Sequence, residues 1–197
     1  MKKMTLWMMA AILICGIAGM TSCNGRSKMQ KEAMEMAATA QGENLEALIN
    51  KYLVDSIGSH YAPGEVCIPV VLYQTDEILN DSVYVMGAYW VFNYNVVGDT
   101  LKCVSGGNNP GKMLISRNEK GDEYVAAFEQ VEDGHGNLES AKRIFGKYYD
   151  AFQAANSDEA YRETVRASSI ADYVKANKLP VKYYQDFGWP AREIPVK

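Results

Sequence analysis

Two histidines, His60 and His135, have the widest chemical use in this sequence, because imidazole binds metals and transfers protons near neutral pH. They lack the HxxH or HExxH spacing that places two metal ligands on one face of a helix. Residues 133–139 carry several oxygen-bearing side chains, but they lack the length and the acidic spacing of an EF-hand loop. We therefore predict no metal site and no other cofactor.

Nucleophilic catalysis has equally little support. No serine lies in a GxSxG elbow, and residues 23–197 contain no SxxK motif. General acid–base catalysis would have to use Asp99, His60 or Tyr61. Residues 106–111 read GGNNPG, but they connect two predicted strands, whereas a phosphate-binding glycine loop normally precedes a helix. The motifs thus assign no catalytic residue.

Residues 81–111 predict a long strand, a tight turn, a second strand and a glycine-rich loop. Every second residue from Tyr84 to Val96 is apolar, which predicts one continuous apolar face. If a helix covers only part of that face, the open end would form a site with apolar walls and a few polar groups. The residues predicted to contact a ligand are Trp90, Asn93, Tyr94, Asn95, Asn108 and Asn109, with Tyr184 and Trp189 as further walls. The alternative is that these aromatic residues are ordinary core.

The elements that would position this site follow from hydrophobic periodicity. Residues 43–57 have the spacing of an amphipathic helix, and Gly58 is expected to form a left-handed cap. Short connections between the predicted strands imply antiparallel pairing. Pro69 places the first strand at an edge or at a bulge. The predicted strands are 66–73, 81–96, 100–105, 112–117 and 123–131.

Two helices and an aromatic tail follow the strands. Residues 138–152 repeat apolar side chains at helical spacing, and Ser157 and Asp158 are typical of the start of a helix that continues to about residue 175. The tail, residues 183–190, is aromatic enough to be expected to pack on the domain.

Together these elements predict an α+β fold. In it, the N-terminal helix packs on the even-numbered face of a five-stranded antiparallel meander, and two C-terminal helices and the tail follow. A helix laid across a curved meander is similar to cystatin-like and NTF2-like domains, over residues 43–131.

The first residues predict where in the cell the protein is located. Lys2 and Lys3 precede an uncharged apolar run over residues 6–20, which is too short to span a bilayer and is typical of a signal peptide. The sequence Met20-Thr21-Ser22-Cys23 resembles the lipobox of bacterial lipoproteins. The resemblance implies acylation of Cys23, palmitate included, and anchoring in the cell envelope. Because no acidic residue follows the cysteine, it also implies the outer membrane, facing the periplasm. The alternative is an ordinary cleaved signal with an incidental cysteine.

With this signal, the chain is predicted to consist of a signal peptide over residues 1–22, a lipidated tether over 23–42 and one domain over 43–197. Without Lys2 and Lys3, the 20 basic residues fall to 18 against 24 acidic residues, a net charge of −6. Such a balance argues against nucleic acid as a partner. Cys67 and Cys103 lie in predicted strands and would either pair in an oxidising compartment or serve as small buried hydrophobes.

The sequence does not assign an activity. The best-supported expectation is a membrane-anchored, non-enzymatic binding or accessory module whose partner is a protein or a small ligand. One alternative is an enzyme with an NTF2-like cavity. Another is an inhibitor or immunity-type factor that presents residues 106–111 as a protruding loop.

Overall fold

The computed structural model describes residues 44–79 and 82–196. The predicted signal peptide, the lipobox-like motif with Cys23 and the tether over residues 23–42 lie outside the described residues. Within the described ranges, no helix combines the length and the apolar character needed to cross a membrane.

A mixed sheet forms the centre of the fold. The strands are β1 (Val66–Leu79), β2 (Ser82–Val97), β3 (Thr100–Arg117), β4 (Glu123–Gln130), β5 (Tyr183–Gln185) and β6 (Arg192–Glu193). Their order is β1-β2-β3-β5-β6, and β4 pairs with the far end of β3. The pairs from β1 to β4 are antiparallel, as their short connections predict, whereas β5 pairs parallel with β3.

Helices precede and follow this sheet, which confirms the predicted α+β class. Residues 44–52 form helix α1, which continues as a π-helical turn, Leu53–Ile57, and a 3-10 turn, Gly58–His60. After the sheet come α2 (Asn137–Phe145), α3 (Tyr149–Ser157) and α4 (Glu159–Asn177).

Two local details of the helices were predicted differently. The helix predicted over residues 138–152 is interrupted at Gly146, whose φ of 51° breaks the helical run between α2 and α3. Gly58 is not a left-handed cap, since its φ is −58°. A Cβ at Gly58 would lie 2.9 Å from Sγ of Cys67, so close packing requires the glycine there. The cap predicted at Asp158 is confirmed, because its carboxylate accepts a hydrogen bond of 2.9 Å from the N–H of Tyr161.

The prediction of a loop over residues 106–111 is wrong. Strand β3 continues through it to Arg117 and pairs with β2 along nearly its whole length. None of these glycines needs a positive φ; they permit a close approach of strands instead. A Cβ at Gly106 would collide with the carbonyl oxygen of Val91 on β2. Within the described residues, the antiparallel meander therefore has four strands rather than five, and residues 106–111 do not form a protruding loop.

The helices cover the two faces of the sheet in an arrangement opposite to the prediction. Met86 and Ala88, on the even-numbered face of β2, pack in one cluster with Ile144, Phe145 and Phe152 from α2 and α3. On the odd-numbered face, Tyr52 of α1 contacts Phe128 edge-on, with ring centroids 6.3 Å apart, and Phe128 contacts Tyr89 at 5.4 Å.

The prediction that the N-terminal helix covers the even-numbered face is thus wrong. Val85, Tyr89 and Val91 on the odd face are at most 1% exposed. Both faces of β2 are therefore core, and the alternation of apolar residues does not distinguish the helix on one face from the helices on the other.

Other expectations for the sheet are confirmed. Strand β1 is at the edge of the sheet, as Pro69 predicts. The hairpin between Val97 and Thr100 turns at Gly98, with a φ of 63°. The pairing of Cys67 and Cys103 was left open by the sequence, and within the described residues both thiols are free. They lie opposite the neighbouring residues Asn93 and Tyr94, which point to opposite faces of β2, so the two thiols are separated by the sheet.

Candidate functional site

A half-open cavity of about 380 Å³ lies on the even-numbered face of the sheet, between β1 and β2, the first half of α4 and the C-terminal tail. We call it the Trp90 pocket. Its lining residues are Val70, Leu72, Trp90, Phe92, Glu159, Arg162, Glu163, Arg166, Tyr184, Asp186, Trp189, Pro190 and Arg192.

The floor of the pocket is apolar. Trp90 and Phe92, two residues apart on β2, point to the same face and stack with an interplanar angle of 5° and centroids 5.7 Å apart. Val70 and Leu72 extend this floor across β1, where Val70 lies opposite Trp90. The alternation that predicted one apolar face of β2 thus supplies the floor.

One face of α4 forms the polar wall. Glu159, Arg162, Glu163 and Arg166 follow the i, i+3, i+4, i+7 spacing that brings side chains to the same side of a helix. Arg166 is only 7% exposed, and its Cζ lies 4.0 Å from the centroid of the Phe92 ring. The charged face of the helix therefore lies directly over the aromatic floor.

The tail closes the remaining side. Between β5 and β6 the chain reverses at residues 186–189, where Gly188 has a φ of 78° and the N–H of Trp189 donates to the carbonyl oxygen of Asp186 at 3.1 Å. Trp189 stands at the rim of the pocket and is 68% exposed. The expectation that the tail packs on the domain is confirmed for Tyr184, which is 3% exposed, but not for Phe187, which is 98% exposed.

A buried network fixes the wall to the floor and the tail. Arg166 donates two hydrogen bonds to the carboxylate of Asp186, at 2.7 and 2.6 Å, and two to the hydroxyl of Tyr94, at 3.2 and 2.8 Å. These bonds from Arg166 hold the pKa of Asp186 below its ordinary value of 3.8. Burial alone would lower the pKa of Arg166, but its bonds to Asp186 and Tyr94 outweigh that effect and raise it. Both groups are therefore charged across the physiological pH range.

A second pair lies beside the first. The carboxylate of Glu163 accepts a hydrogen bond of 2.6 Å from the hydroxyl of Tyr184. It also forms an ion pair with Arg192, at 3.2 Å. Burial, followed by the neighbouring Glu163 carboxylate, raises the pKa of Tyr184 to about 12. The phenol is therefore neutral and donates a hydrogen bond to the carboxylate of Glu163.

Two charged side chains that line the pocket form no ion pair among the described residues. Within the described residues, Arg162 makes no ion pair; it donates to the carbonyl oxygen of Asn156, and its Cζ lies 5.7 Å from the centroid of the Trp90 ring. Glu159, at the exposed end of the same wall, likewise has no ion pair in the described part of the chain. Nε1 of Trp90 is buried and has no hydrogen-bond partner among the residues that the structure describes.

The six residues predicted to contact a ligand do not form one site. Trp90 lines the pocket, Tyr94 lies beneath it and accepts from Arg166, and Asn108 faces Trp90 across the β2–β3 ladder. Nδ2 of Asn108 donates to Oδ1 of Asn156 at 3.0 Å.

The other three amides lie on the odd-numbered face and have structural partners. Asn93 donates to Oγ of Ser105 at 3.2 Å, and Asn95 accepts from the N–H of Glu65 at 3.2 Å. Asn109 is 4% exposed and donates to the carbonyl oxygen of Tyr89 at 3.2 Å. Asn93, Asn95 and Asn109 therefore do not line this pocket, and their contact with a ligand stays a prediction.

The candidate acid–base residues also lie elsewhere. Asp99 belongs to the β2–β3 turn and His60 to the turn after α1, and both are exposed. The hydroxyl of Tyr61 donates to Asn109 at 3.2 Å. Among the described side chains, no group of three or more histidine, cysteine or carboxylate residues is placed to bind a metal ion.

Sequence reasoning found the aromatic residues of the pocket and missed its charged ones. Arg162, Glu163, Arg166, Asp186 and Arg192 were not among the predicted site residues. One signal was available, namely the charged i, i+3, i+4, i+7 set on α4. The pairing of Arg166 with Asp186 had no sequence signal, because it depends on where the tail packs.

A wider groove of about 730 Å³ lies between α1 and α4, beside the edge strand β1. Ile68, Pro69 and Val71 form its base, and its rims carry exposed polar residues such as Lys51 and Asp55. It does not have the fixed aromatic floor of the Trp90 pocket.

The Trp90 pocket therefore combines an apolar floor with two fixed ion pairs and with two charged side chains, Arg162 and Glu159, that form no ion pair in the described part of the chain. Comparisons of the chain with protein-family models, curated proteins and solved structures find no match. A functional proposal is therefore based on the geometry of this pocket.

Proposed function

We propose that this protein is a lipid-anchored component of the bacterial cell envelope that binds a small ligand in the Trp90 pocket and acts as a non-enzymatic binding or accessory module. The observation that carries the proposal is an arginine-lined wall that lies over a stacked aromatic floor in a half-open cavity of about 380 Å³.

The size and lining of the pocket suit a small molecule. Ligand sites typically have volumes of roughly 300–1,000 Å³, apolar walls and a few polar groups that orient the ligand. The Arg166–Asp186 and Arg192–Glu163 pairs hold the wall in place before a ligand arrives. Such pre-organisation lowers the entropic cost of binding.

The same contacts give less support to acid–base catalysis. Asp186 is held ionised by Arg166, so it is a weak proton donor, and Glu163 is bonded to Tyr184 and Arg192. A carboxylate that is already bound to two donors is better suited to fixing a wall than to transferring protons.

Binding is tested by a thermal-shift screen of small molecules against the full chain, followed by calorimetry on the compounds that raise the melting temperature. Trp189→Ala removes a rim residue that is 68% exposed, so it should weaken binding without unfolding the protein. Phe187→Ala is the matched control, because Phe187 is 98% exposed, lies two residues away and does not line the pocket. Equal affinities for the two variants would contradict the assignment of the site.

The anchor is tested separately. The lipobox-like sequence ending at Cys23 predicts that the expressed protein fractionates with the outer membrane and carries palmitate. Cys23→Ser should release it to the soluble periplasmic fraction. Membrane association that persists in this variant would contradict the anchor and leave the pocket unaffected.

A further inference from the structure

We propose that the ligand of the Trp90 pocket is a zwitterion, namely a free α-amino acid with an apolar side chain. This inference rests on the proposed binding function and adds the chemical class of the ligand. It is carried by the balance of charges around the pocket.

Most of the charges at the pocket neutralise each other. The three arginines are Arg162, Arg166 and Arg192, and the three carboxylates are Glu159, Glu163 and Asp186. Arg166 pairs with Asp186 at 2.6 Å, and Arg192 pairs with Glu163 at 3.2 Å. Within the described residues, one cation and one anion at the pocket are left without an ion pair, Arg162 and Glu159.

These two side chains are neighbours. They are three residues apart on α4, so they lie on the same face of the helix, yet they are not in contact as an ion pair. Arg162 uses one N–H on Asn156 and keeps further donors in its planar fork, which suits a carboxylate. Glu159 accepts hydrogen bonds only, which suits an ammonium group. An α-amino acid carries its ammonium group and its carboxylate on the same carbon atom, and it fits this arrangement.

The apolar floor supplies the place for the side chain. Val70, Leu72 and the stacked Trp90 and Phe92 rings lie beneath the charged wall. A branched or aromatic side chain would bury its surface there, at roughly 25 cal/mol per Å². A strongly charged side chain would find no unpaired partner on this floor.

The test is calorimetry on the full chain with L-leucine and L-phenylalanine, compared with their N-acetyl and C-terminal amide derivatives. The free amino acids should bind, and each blocked derivative should bind at least about tenfold more weakly, the usual effect of losing a charge-assisted hydrogen bond. Glu159→Gln should abolish the preference over the N-acetyl form, and Arg162→Gln the preference over the amide. Glu119→Gln and Arg143→Gln, in exposed positions away from the pocket, are the matched controls.

The outcomes separate the two proposals. If the free and the N-acetylated forms bind equally, or if the screen yields a ligand while the amino acids do not bind, the zwitterion inference is wrong and the pocket assignment stands. If Trp189→Ala and Phe187→Ala bind every ligand equally, the pocket assignment itself fails.

Discussion

Arg166 and Asp186 are joined by two parallel hydrogen bonds, Nη1 to Oδ2 at 2.7 Å and Nη2 to Oδ1 at 2.6 Å. Arg166 is on α4 and Asp186 is in the tail, so this pair holds two walls of the Trp90 pocket together. Bidentate pairs of this kind are among the strongest hydrogen bonds in proteins, and they fix orientation as well as distance.

Asp186→Asn should lower the free energy of unfolding by about 1–3 kcal/mol, because it leaves the guanidinium of Arg166 with reduced compensation at 7% exposure. The loss is expected to fall below the cost of breaking a fully buried pair, since the Asp186 side chain is 42% exposed. Urea denaturation measures the change.

Asp55→Asn is the matched control for that experiment. Its partner Lys51 is 2.5 Å away, but both side chains are more than half exposed. Exposed pairs of this type contribute at most about 0.5 kcal/mol. Equal losses in the two variants would show that the Arg166–Asp186 pair has no special structural role.

The pH dependence of stability follows from the same pair. The folded protein holds the pKa of Asp186 below its ordinary value of 3.8, so the unfolded chain binds a proton at higher pH than the folded chain does. The contribution of Asp186 is complete above that value and is lost as the pH falls through the lower folded pKa. Urea midpoints from about pH 7 to about pH 3 should therefore fall less for Asp186→Asn than for the wild type.

A second carboxylate must be accounted for in this titration. Hydrogen bonds from Arg143, and then from Lys112, lower the pKa of Glu129. Glu129→Gln should independently reduce the loss of stability between about pH 7 and about pH 3. The double variant with Asp186→Asn should reduce this loss further. If the urea midpoints of the wild type and of Asp186→Asn fell equally between about pH 7 and about pH 3, the assigned coupling between Arg166 and Asp186 would be contradicted.

The glycines of β3 provide a test of the corrected strand. Gly106→Ala should lower the free energy of unfolding by about 1–3 kcal/mol, because the new Cβ would collide with the backbone oxygen of Val91 on the paired strand. Gly107→Ala should cost less, since its nearest atom is the hydroxyl oxygen of Tyr61 at 2.5 Å, at the end of a side chain. If both substitutions were neutral, residues 106–111 would behave as the loop that the sequence predicted.

The two cysteines give a chemical test of the sheet. Cys67 and Cys103 lie on opposite faces, so non-reducing peptide mapping of protein from an oxidising compartment should recover both as free thiols. Burial raises the pKa of each thiol, which predicts slow alkylation in the folded state and fast alkylation in denaturant. A peptide that links Cys67 to Cys103 would contradict the register of β1, β2 and β3.

Much of the fold was predictable because the local signals were strong. The alternation along β2, the helical spacing of residues 44–57 and the cap at Asp158 depend on neighbours in sequence. The glycine-rich stretch was not predictable in the same way. Glycine and asparagine favour turns in most contexts, and only the close approach of Val91 to Gly106 explains why they extend a strand here.

The site was predictable only in part, for a related reason. Trp90 and Tyr94 were named from the apolar face of β2, and that face does form the pocket floor and its support. The arginine and carboxylate residues come from α4 and from the tail, and their pairing depends on β5 packing beside β3. Three of the predicted amides do not join Trp90 at the pocket, because one-residue alternation places them on the opposite face of the sheet.

The most direct test of the Trp90 pocket uses its own fluorescence. The chain has three tryptophans, Trp7, Trp90 and Trp189, so Trp7→Phe combined with Trp189→Phe leaves Trp90 as the single tryptophan emitter. The tightest compound from the screen should change the Trp90 emission saturably, with a dissociation constant that agrees with calorimetry on the same variant. Saturable heat of binding without any change in Trp90 emission would place the ligand elsewhere and contradict the assignment.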